Sequence, residues 1–211
     1  MEDLSLHILD IAENSINAGA TKIVIRIAED PGSDNYSLSV EDNGHGMDGG
    51  VLLKAEDPFF TYDGDKNKSK SKSKKQKKRF GLGIPLLKQA ATECGGEFRL
   101  DSEPGKGTTL FASFRFGHID RKPLGNIGAT MLSMMCGHPE IRYVLFYDIN
   151  GGPASGSSFH YGFDSDALKE ALGETPVNLP EILLMVRDAI NTAVMEGRDQ
   201  TKTAIKSHNR V

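Results

Sequence analysis

The stretch that most constrains this chain is Val40-Glu41-Asp42-Asn43-Gly44-His45-Gly46-Met47. It reads as a strand that stops at a carboxylate and turns through two glycines. Upstream, Tyr36, Leu38 and Val40 alternate with Ser37, Ser39 and Glu41, the period of a half-buried strand. Asp42 keeps the parity of Leu38 and Val40, so it points at the buried side. A carboxylate aimed at an apolar layer is costly unless something there donates hydrogen bonds to it. The amino group of a bound adenine is such a donor. Gly44 and Gly46 let the backbone turn and let a flat ring come close. Taken alone, the octapeptide serves equally well as an ordinary Asn-Gly turn, and the flanking stretches decide between the two.

Before it, Asp3 or Ser5 can cap a helix running to about Asn17, with Gly19 ending it. Leu4, Ile8, Ile11, Ala12 and Ile16 fall on one side, and His7, Asp10, Glu13, Asn14 and Asn17 on the other. Asp10 and Asn14 are four apart and hence neighbours. A solvated face is the usual reason for such a stripe. This one holds no lysine or arginine and mixes carboxylates with amides, which also suits a site offering oxygens to Mg²⁺ and water. Thr21 to Ile27 alternates as a strand and should pair with the strand at Tyr36 across the turn at Pro31-Gly32.

Charge is distributed unevenly. The net charge is -4, yet Lys66 to Arg79 (KNKSKSKSKKQKKR) holds nine of the 25 basic residues, leaving 16 against 29 acidic ones elsewhere. An acidic protein with one basic tract is expected to be a poor nucleic-acid binder. Residues 63–79 contain no apolar side chain, so the tract can bury nothing and is expected to be mobile. No apolar run approaches the ~20 residues of a membrane span. The acidic start lacks the features of a signal peptide. Cys94 and Cys136 have no metal-site or disulfide spacing, so a reducing cytoplasm is the simplest compartment.

After the tract, Phe80-Gly81-Leu82-Gly83-Ile84-Pro85 leads into a helix that Gly95-Gly96 stops. Glycines just before a helix leave backbone N–H groups free to hold an anion. Phe98 and Leu100 mark another strand, 102–107 a turn, and Thr108 to Phe116 a strand with Thr108, Leu110, Ala112, Phe114 and Phe116 on one face. Thr108 is thus a polar group at the end of a core-facing row; a β-favouring residue at a strand end accounts for it equally.

Asp10-xxx-Asn14, Asp42-x-Gly44-x-Gly46, Gly81-Leu82-Gly83 and Gly105-x-Gly107-Thr108 stand in a fixed order. Together, over about residues 4–117, they resemble the GHKL ATPases: gyrase-type topoisomerases, ninety-kilodalton heat-shock chaperones, histidine kinases and MutL-type repair proteins. Glu13-Asn14-Ser15 with 17–21 looks most like MutL; 58–61, Gly81-Leu82-Gly83 and 105–108 look most like histidine kinases. The resemblance implies a Bergerat-type α/β sandwich over 1–117, a mixed sheet with helices on one face, with a mobile basic lid at 62–80 over bound ATP. It implies that Asn14 ligates Mg²⁺ at the phosphates and that Asp42 accepts from the adenine amino group. Gly44 and Gly46 would lie under the base with Met47 beside it. Gly81, Leu82 and Gly83 would end the lid, and Thr108 would support Asp42, directly or through water. Asp10 sits where hydrolysing members carry a glutamate that activates water. Aspartate is one methylene shorter, which leaves hydrolysis in doubt. Sensor kinases carry a histidine-bearing hairpin upstream; here the helix of Asp10 begins near Met1, so the expectation is a stand-alone module in which His7 is site-edge or structural.

Residues 118–211 match those enzymes in no motif. Helices at 126–136 and 166–172, strands at 142–149 and 158–163, and a last helix from Leu179-Pro180 suggest a small α/β module that docks a partner or dimerises, with a frayed tail after Glu196. The expected function is Mg²⁺-ATP binding by a regulatory protein kinase acting on a separate partner. A slow ATPase switch comes second, and a protein-interaction module with a degenerate nucleotide site third.

Overall fold

The computed structural model describes residues 3–55, 83–151 and 158–208. Helix α1 (Leu4–Asn17) begins at Asp3, whose carboxylate accepts from the Leu6 N–H at 3.0 Å and thereby satisfies one of the donors a helix start leaves open. Strands β1 (Lys22–Asp30) and β2 (Asn35–Asp42) form the expected antiparallel hairpin, closed by a short 3-10 turn at Pro31–Ser33. A helix of about two turns absent from the sequence reading, α2 (Gly49–Ala55), follows; Asp48 caps it by accepting from the Gly50 and Val51 N–H groups. Next come α3 (Gly83–Glu93), β3 (Phe98–Glu103), β4 (Gly107–Arg115), α4 (Ile127–Gly137), β5 (Arg142–Asn150), β6 (Ser158–Asp164), α5 (Ser165–Leu172) and α6 (Pro180–His208).

The strands make one six-stranded sheet in the order β3-β4-β2-β1-β5-β6. Every neighbouring pair is antiparallel except β1 with β5, which is parallel. Alternation decides the faces. Ile23, Ile25, Ile27, Tyr36, Leu38, Val40, Leu110, Ala112, Phe114, Tyr143, Leu145 and Tyr147 are buried on one face. They join Leu4, Ile8 and Ile11 of α1, Leu87 of α3, Met131 of α4 and Ile190 of α6 in one continuous core. The opposite face presents exposed Arg26, Glu41, Arg99 and His160. This is the mixed α/β sandwich expected for the first half of the chain.

The second half departs from expectation. Residues 142–164 do not start a sheet of their own. Hydrophobic β5 lies against β1, pairing from Lys22↔Arg142 to Glu29↔Ile149, so the sheet runs unbroken across the boundary expected at 117/118. The physical reason is that β2 pairs only one edge of β1, and the backbone N–H and C=O groups along the other edge need partners, which β5 supplies. Helices α4 and α6 then pack closely where Gly128 removes a side chain: a Cβ there would lie 2.4 Å from the Arg187 carbonyl oxygen. Asn191 stitches the contact, accepting from the Gly128 N–H and donating to Asn126 Oδ1.

The tail expected to fray after Glu196 is instead the continuation of α6, which runs to His208. Arg198 explains its attachment. Glu29, on the core-facing side of β1 and 5% exposed, accepts from Arg198 Nε at 3.0 Å, from Arg198 Nη2, and from Tyr147 Oη at 2.9 Å. Burial opposes the Arg198 charge, but the hydrogen bond and charge of Glu29 outweigh it and raise the guanidinium pKa. Burial, with Glu29 next, likewise raises the Tyr147 hydroxyl. Removing one partner of a buried pair strands the other charge, typically at 3–5 kcal/mol. Arg198→Met should therefore cost about 3 kcal/mol, the lower end because the Arg198 side chain is 35% exposed. The urea midpoint measures it, and Glu29→Gln in the same chain should recover part of the loss; additive losses would mean that the pair is not coupled.

Candidate functional site

Where β2 ends, a cluster of polar groups is locked around Asp42. Its Oδ2 accepts from the Ser15 hydroxyl of α1 at 2.7 Å and its Oδ1 from the Gly44 N–H at 2.8 Å. The carboxylate is half-buried, so its inner lone pairs are satisfied by protein and the others face outward. Charge-assisted bonds of this kind fix a side chain firmly. The neighbouring Asn43 pins the loop: its Oδ1 accepts from the Thr21 and Lys22 N–H groups and its Nδ2 donates to Thr21 Oγ1, all at 2.9 Å. The His45 N–H donates to the Ala18 carbonyl, and the Gly105 N–H donates to the His45 carbonyl. The loop is thus clamped between the α1–β1 turn and the β3–β4 turn.

The glycines of this loop have reasons internal to the protein. Gly46 has φ +66°, and a Cβ there would lie 2.0 Å from the Glu103 carbonyl oxygen. A Cβ at Gly44 would meet the Ala18 carbonyl oxygen at 2.9 Å. Both are buried against backbone, which is a more direct requirement for glycine than the approach of a flat ring. Met47 lies half-buried beside them, its N–H donating to Ser102 Oγ at 2.8 Å.

Thr108 has a protein partner of its own. It stands directly opposite Asp42 in the β2–β4 register, but its hydroxyl is 2.9 Å from Ser102 Oγ. The Ser102 hydroxyl donates to the Gly107 carbonyl. With that hydrogen spent, Ser102 accepts from both the Met47 N–H and the Thr108 hydroxyl. The hydroxyl that holds Asp42 is Ser15, which the sequence reading did not single out. The signal was present: Ser15 continues the apolar side of α1, and a hydroxyl on a buried face needs a partner.

Along α1 from Ser15, Asn14 is exposed and Asp10 lies one turn earlier. The Asp10 carboxylate occupies the space that a side chain at Gly83 would fill: a Cβ there would lie 1.8 Å from Asp10 Oδ2, which is itself buried. Gly83 opens α3, so the start of that helix rests on Asp10. Gly81, Leu82 and the basic tract lie outside the described residues.

One turn further back, His7 is fully buried on the same helix. Its Nε2 is 3.2 Å from Lys122 Nζ. Burial first, and then the Lys122 charge, lowers its pKa from 6.5 to about 4. The imidazole is therefore neutral at pH 7 and accepts from the ammonium. Its folded pKa lies below the unfolded value, so between about pH 6.5 and 4 the unfolded chain binds the extra proton and stability falls as pH falls. Roughly 3 kcal/mol should be lost across that window. Urea titrations of the parent and His7→Leu at pH 7 and pH 4.5 check this; the variant should lack most of the difference.

Among the described residues no three His, Cys, Asp or Glu side chains group as a metal site, and no helix is long and apolar enough to cross a membrane. A family model described as histidine kinase-, DNA gyrase B-, and HSP90-like ATPase matches residues 2–121. A putative sensor protein of Shewanella frigidimarina (strain NCIMB 400) is 28% identical over 114 residues, which cover 54% of this chain and 16% of that protein. The chain therefore spans less than a fifth of that relative's length. Among solved structures, the N-terminal domain of a DNA repair protein is 16% identical with a TM-score of 0.47, over 76% of this chain and 52% of that one. The Aquifex aeolicus MutL ATPase domain complexed with ADP is 15% identical with a TM-score of 0.41, over 70% and 60%. The family match spans more than half of the 211 residues, and it covers every residue of the cluster around Asp42: this chain belongs to the histidine kinase-, DNA gyrase B- and HSP90-like ATPase family.

Proposed function

We propose that the cluster at the end of β2 binds Mg²⁺-ATP and that the chain is a regulatory protein kinase acting on a separate partner. Membership of the family supports ATP binding and ATPase or kinase activity in general. The observation that carries the site assignment is Asp42. Its carboxylate is held by Ser15 and Gly44 on the inside and half-exposed on the outside, which fits an acceptor for the adenine amino group. In this reading Gly44, Gly46 and Met47 form the floor of the base pocket, and Thr108 braces it through Ser102. Asn14 would offer its amide oxygen to Mg²⁺, a donor type that hard cations accept. Bound there, Mg²⁺ would neutralise phosphate charge. Gly83 would present the N–H groups of the α3 start to the phosphates.

Asp10 favours transfer over hydrolysis. A general base must come within hydrogen-bond reach of the water it activates. One Asp10 oxygen is buried against Gly83, and the side chain is short, so activation of water by this carboxylate is inefficient. A slow ATPase switch is the second reading, because Asp10 does share a helix side with Asn14. Incubating the full chain with Mg²⁺ and ATP labelled on the γ-phosphate, with and without a cell extract, separates the readings. Label on a partner protein supports the kinase, released phosphate alone the switch, and neither a binding module with a degenerate site.

Asp42→Asn should weaken ATP binding about ten- to a hundredfold, the loss of one charge-assisted hydrogen bond. The fold should survive, since Ser15 can turn its hydrogen to the Ile11 carbonyl at 3.2 Å. Calorimetry that finds unchanged affinity would overturn the assignment. Asp10→Asn should cut residual ATP hydrolysis by no more than about 10²-fold, the lower end of general-base help, with affinity nearly unchanged, whereas Asn14→Ala should lose the Mg²⁺-dependent part of binding. Turnover at the parent rate in Asp10→Asn would make Asp10 structural.

A further inference from the structure

The two edges of the sheet are finished differently. An open sheet leaves unpaired N–H and C=O groups along both outer strands, a template for another chain. At one edge β3 is guarded. Exposed Arg99, Asp101 and Glu103 alternate along it, with Arg99 paired to Glu97 and Glu103 to Lys106. At the other edge β6 (SFHYGFD) has no lysine, no proline and no break in its register with β5, so the common protections of an exposed edge are missing. Its carboxylate, Asp164, lies at the very end and is bonded to Arg142. Among the described residues, the backbone partners of 158–164 all belong to β5.

The core is also unfinished on that side. Tyr143, Leu145 and Tyr147 of β5 are fully buried, whereas Phe159, Tyr161 and Phe163, which continue the same face on β6, are only half-buried. Helix α6 packs against this row: a Cβ at Gly197 would lie 2.5 Å from the Phe159 ring. In the helix layer α4 lies between α1 and α6, and Asn191 points from α6 at α4. Ala189 is about 160° and Met185 about 120° around the helix from Asn191, so both are turned away from α4. Both are exposed, Met185 by 55%. Backbone, aromatic row and helix flank are thus all open at the same edge.

We propose that two copies of this chain pair antiparallel through β6, about a two-fold axis at Tyr161, joining their six-stranded sheets into one. The strand is self-complementary about that residue, which is why a second copy fits better than an unrelated strand. Phe159 of one copy faces Phe163 of the other, an aromatic pair of the kind that stabilises adjacent strands. Ser158 faces Asp164, a hydroxyl that donates to a carboxylate. On the other face of the sheet His160 meets Gly162, which leaves room for the ring, and no like charges are opposed. An edge of seven residues, about 24 Å long, is narrow for a specific interface of roughly 1,200 Å² or more. The Met185 and Ala189 flanks of the two α6 helices, brought side by side in the helix layer, widen it. Asp42 stands three strands away at the end of β2, so the pairing leaves each copy its own site and needs no nucleotide.

Sedimentation equilibrium of the full chain without nucleotide tests this, together with two double variants. The parent should show a concentration-dependent monomer–dimer equilibrium. His160→Lys with Gly162→Lys opposes like charges on both sides of the axis and should raise the dimer Kd about tenfold. His160→Lys with Gly162→Glu opposes unlike charges at the same places and should return Kd to within about threefold of the parent. Both should fold: a Cβ at Gly162 would make an ordinary contact of 3.8 Å with the Phe146 ring, and position 160 faces Asp148 across the strands. Amide hydrogen exchange on the parent needs no substitution and should show protection of 158–164 that rises with protein concentration. A parent that stays monomeric overturns the proposal. So does a dimer without that protection, one that neither variant weakens, or one that both variants weaken equally.

Discussion

The bond between Ser15 and Asp42 is the contact on which the rest of the site depends. It joins the first helix to the end of the second strand at 2.7 Å. Strand β2 sits in the middle of the sheet, between β1 and β4, so a carboxylate at its end has little freedom. Its partner comes from a helix that is itself buried along Leu4, Ile8, Ile11 and Ala12. The geometry of the site is therefore inherited from the core, not from its loop. The loop follows: Asn43 bonds the start of β1, and Gly46 is pressed against Glu103. A side chain at either glycine of the loop would push it away from the β3–β4 turn or from α1.

The opposite end of the same sheet holds a second buried carboxylate, Glu29, with a different role. Asp42 keeps an open side; Glu29 is enclosed by Tyr147 and Arg198. The first arrangement suits a ligand and the second a structural tie. That tie draws the last helix onto the sheet and, together with the β1–β5 pairing, makes the C-terminal half part of the sheet that carries the site. Hence α4 and the segment before it reach the beginning of α1, which is where Lys122 meets His7.

Much of this was legible in one dimension. The period-2 rows at Tyr36-Leu38-Val40 and Leu110-Ala112-Phe114 become the buried face of β2 and β4. The apolar spacing of 4–16 and the cap at Asp3 define α1. Asp42 was recognisable because its parity placed a charge at the edge of an apolar row. What escaped were partnerships across long sequence separations. Nothing local distinguishes Ser15 as the donor to a carboxylate 27 residues away, or Arg198 as the mate of Glu29, 169 residues distant. A polar tail is also the usual signature of fraying, so the attachment of α6 through Arg198 was hidden for the same reason.

The amino-acid sequence by itself determined the strands, the main helices, the position of the turns and the place of Asp42 at the end of a core-facing row, because these follow from residue period, capping and parity along a short stretch of chain. Only the tertiary structure decided that β5 adds to β1 in the same sheet, that the Thr108 hydroxyl meets Ser102, and that Asp10 lies against Gly83 at the start of α3. Those outcomes depend on which apolar edges and which unsatisfied donors meet in space. Local period cannot encode that, since many pairings satisfy it equally and the one adopted is the one that buries the most surface with its polar groups bonded.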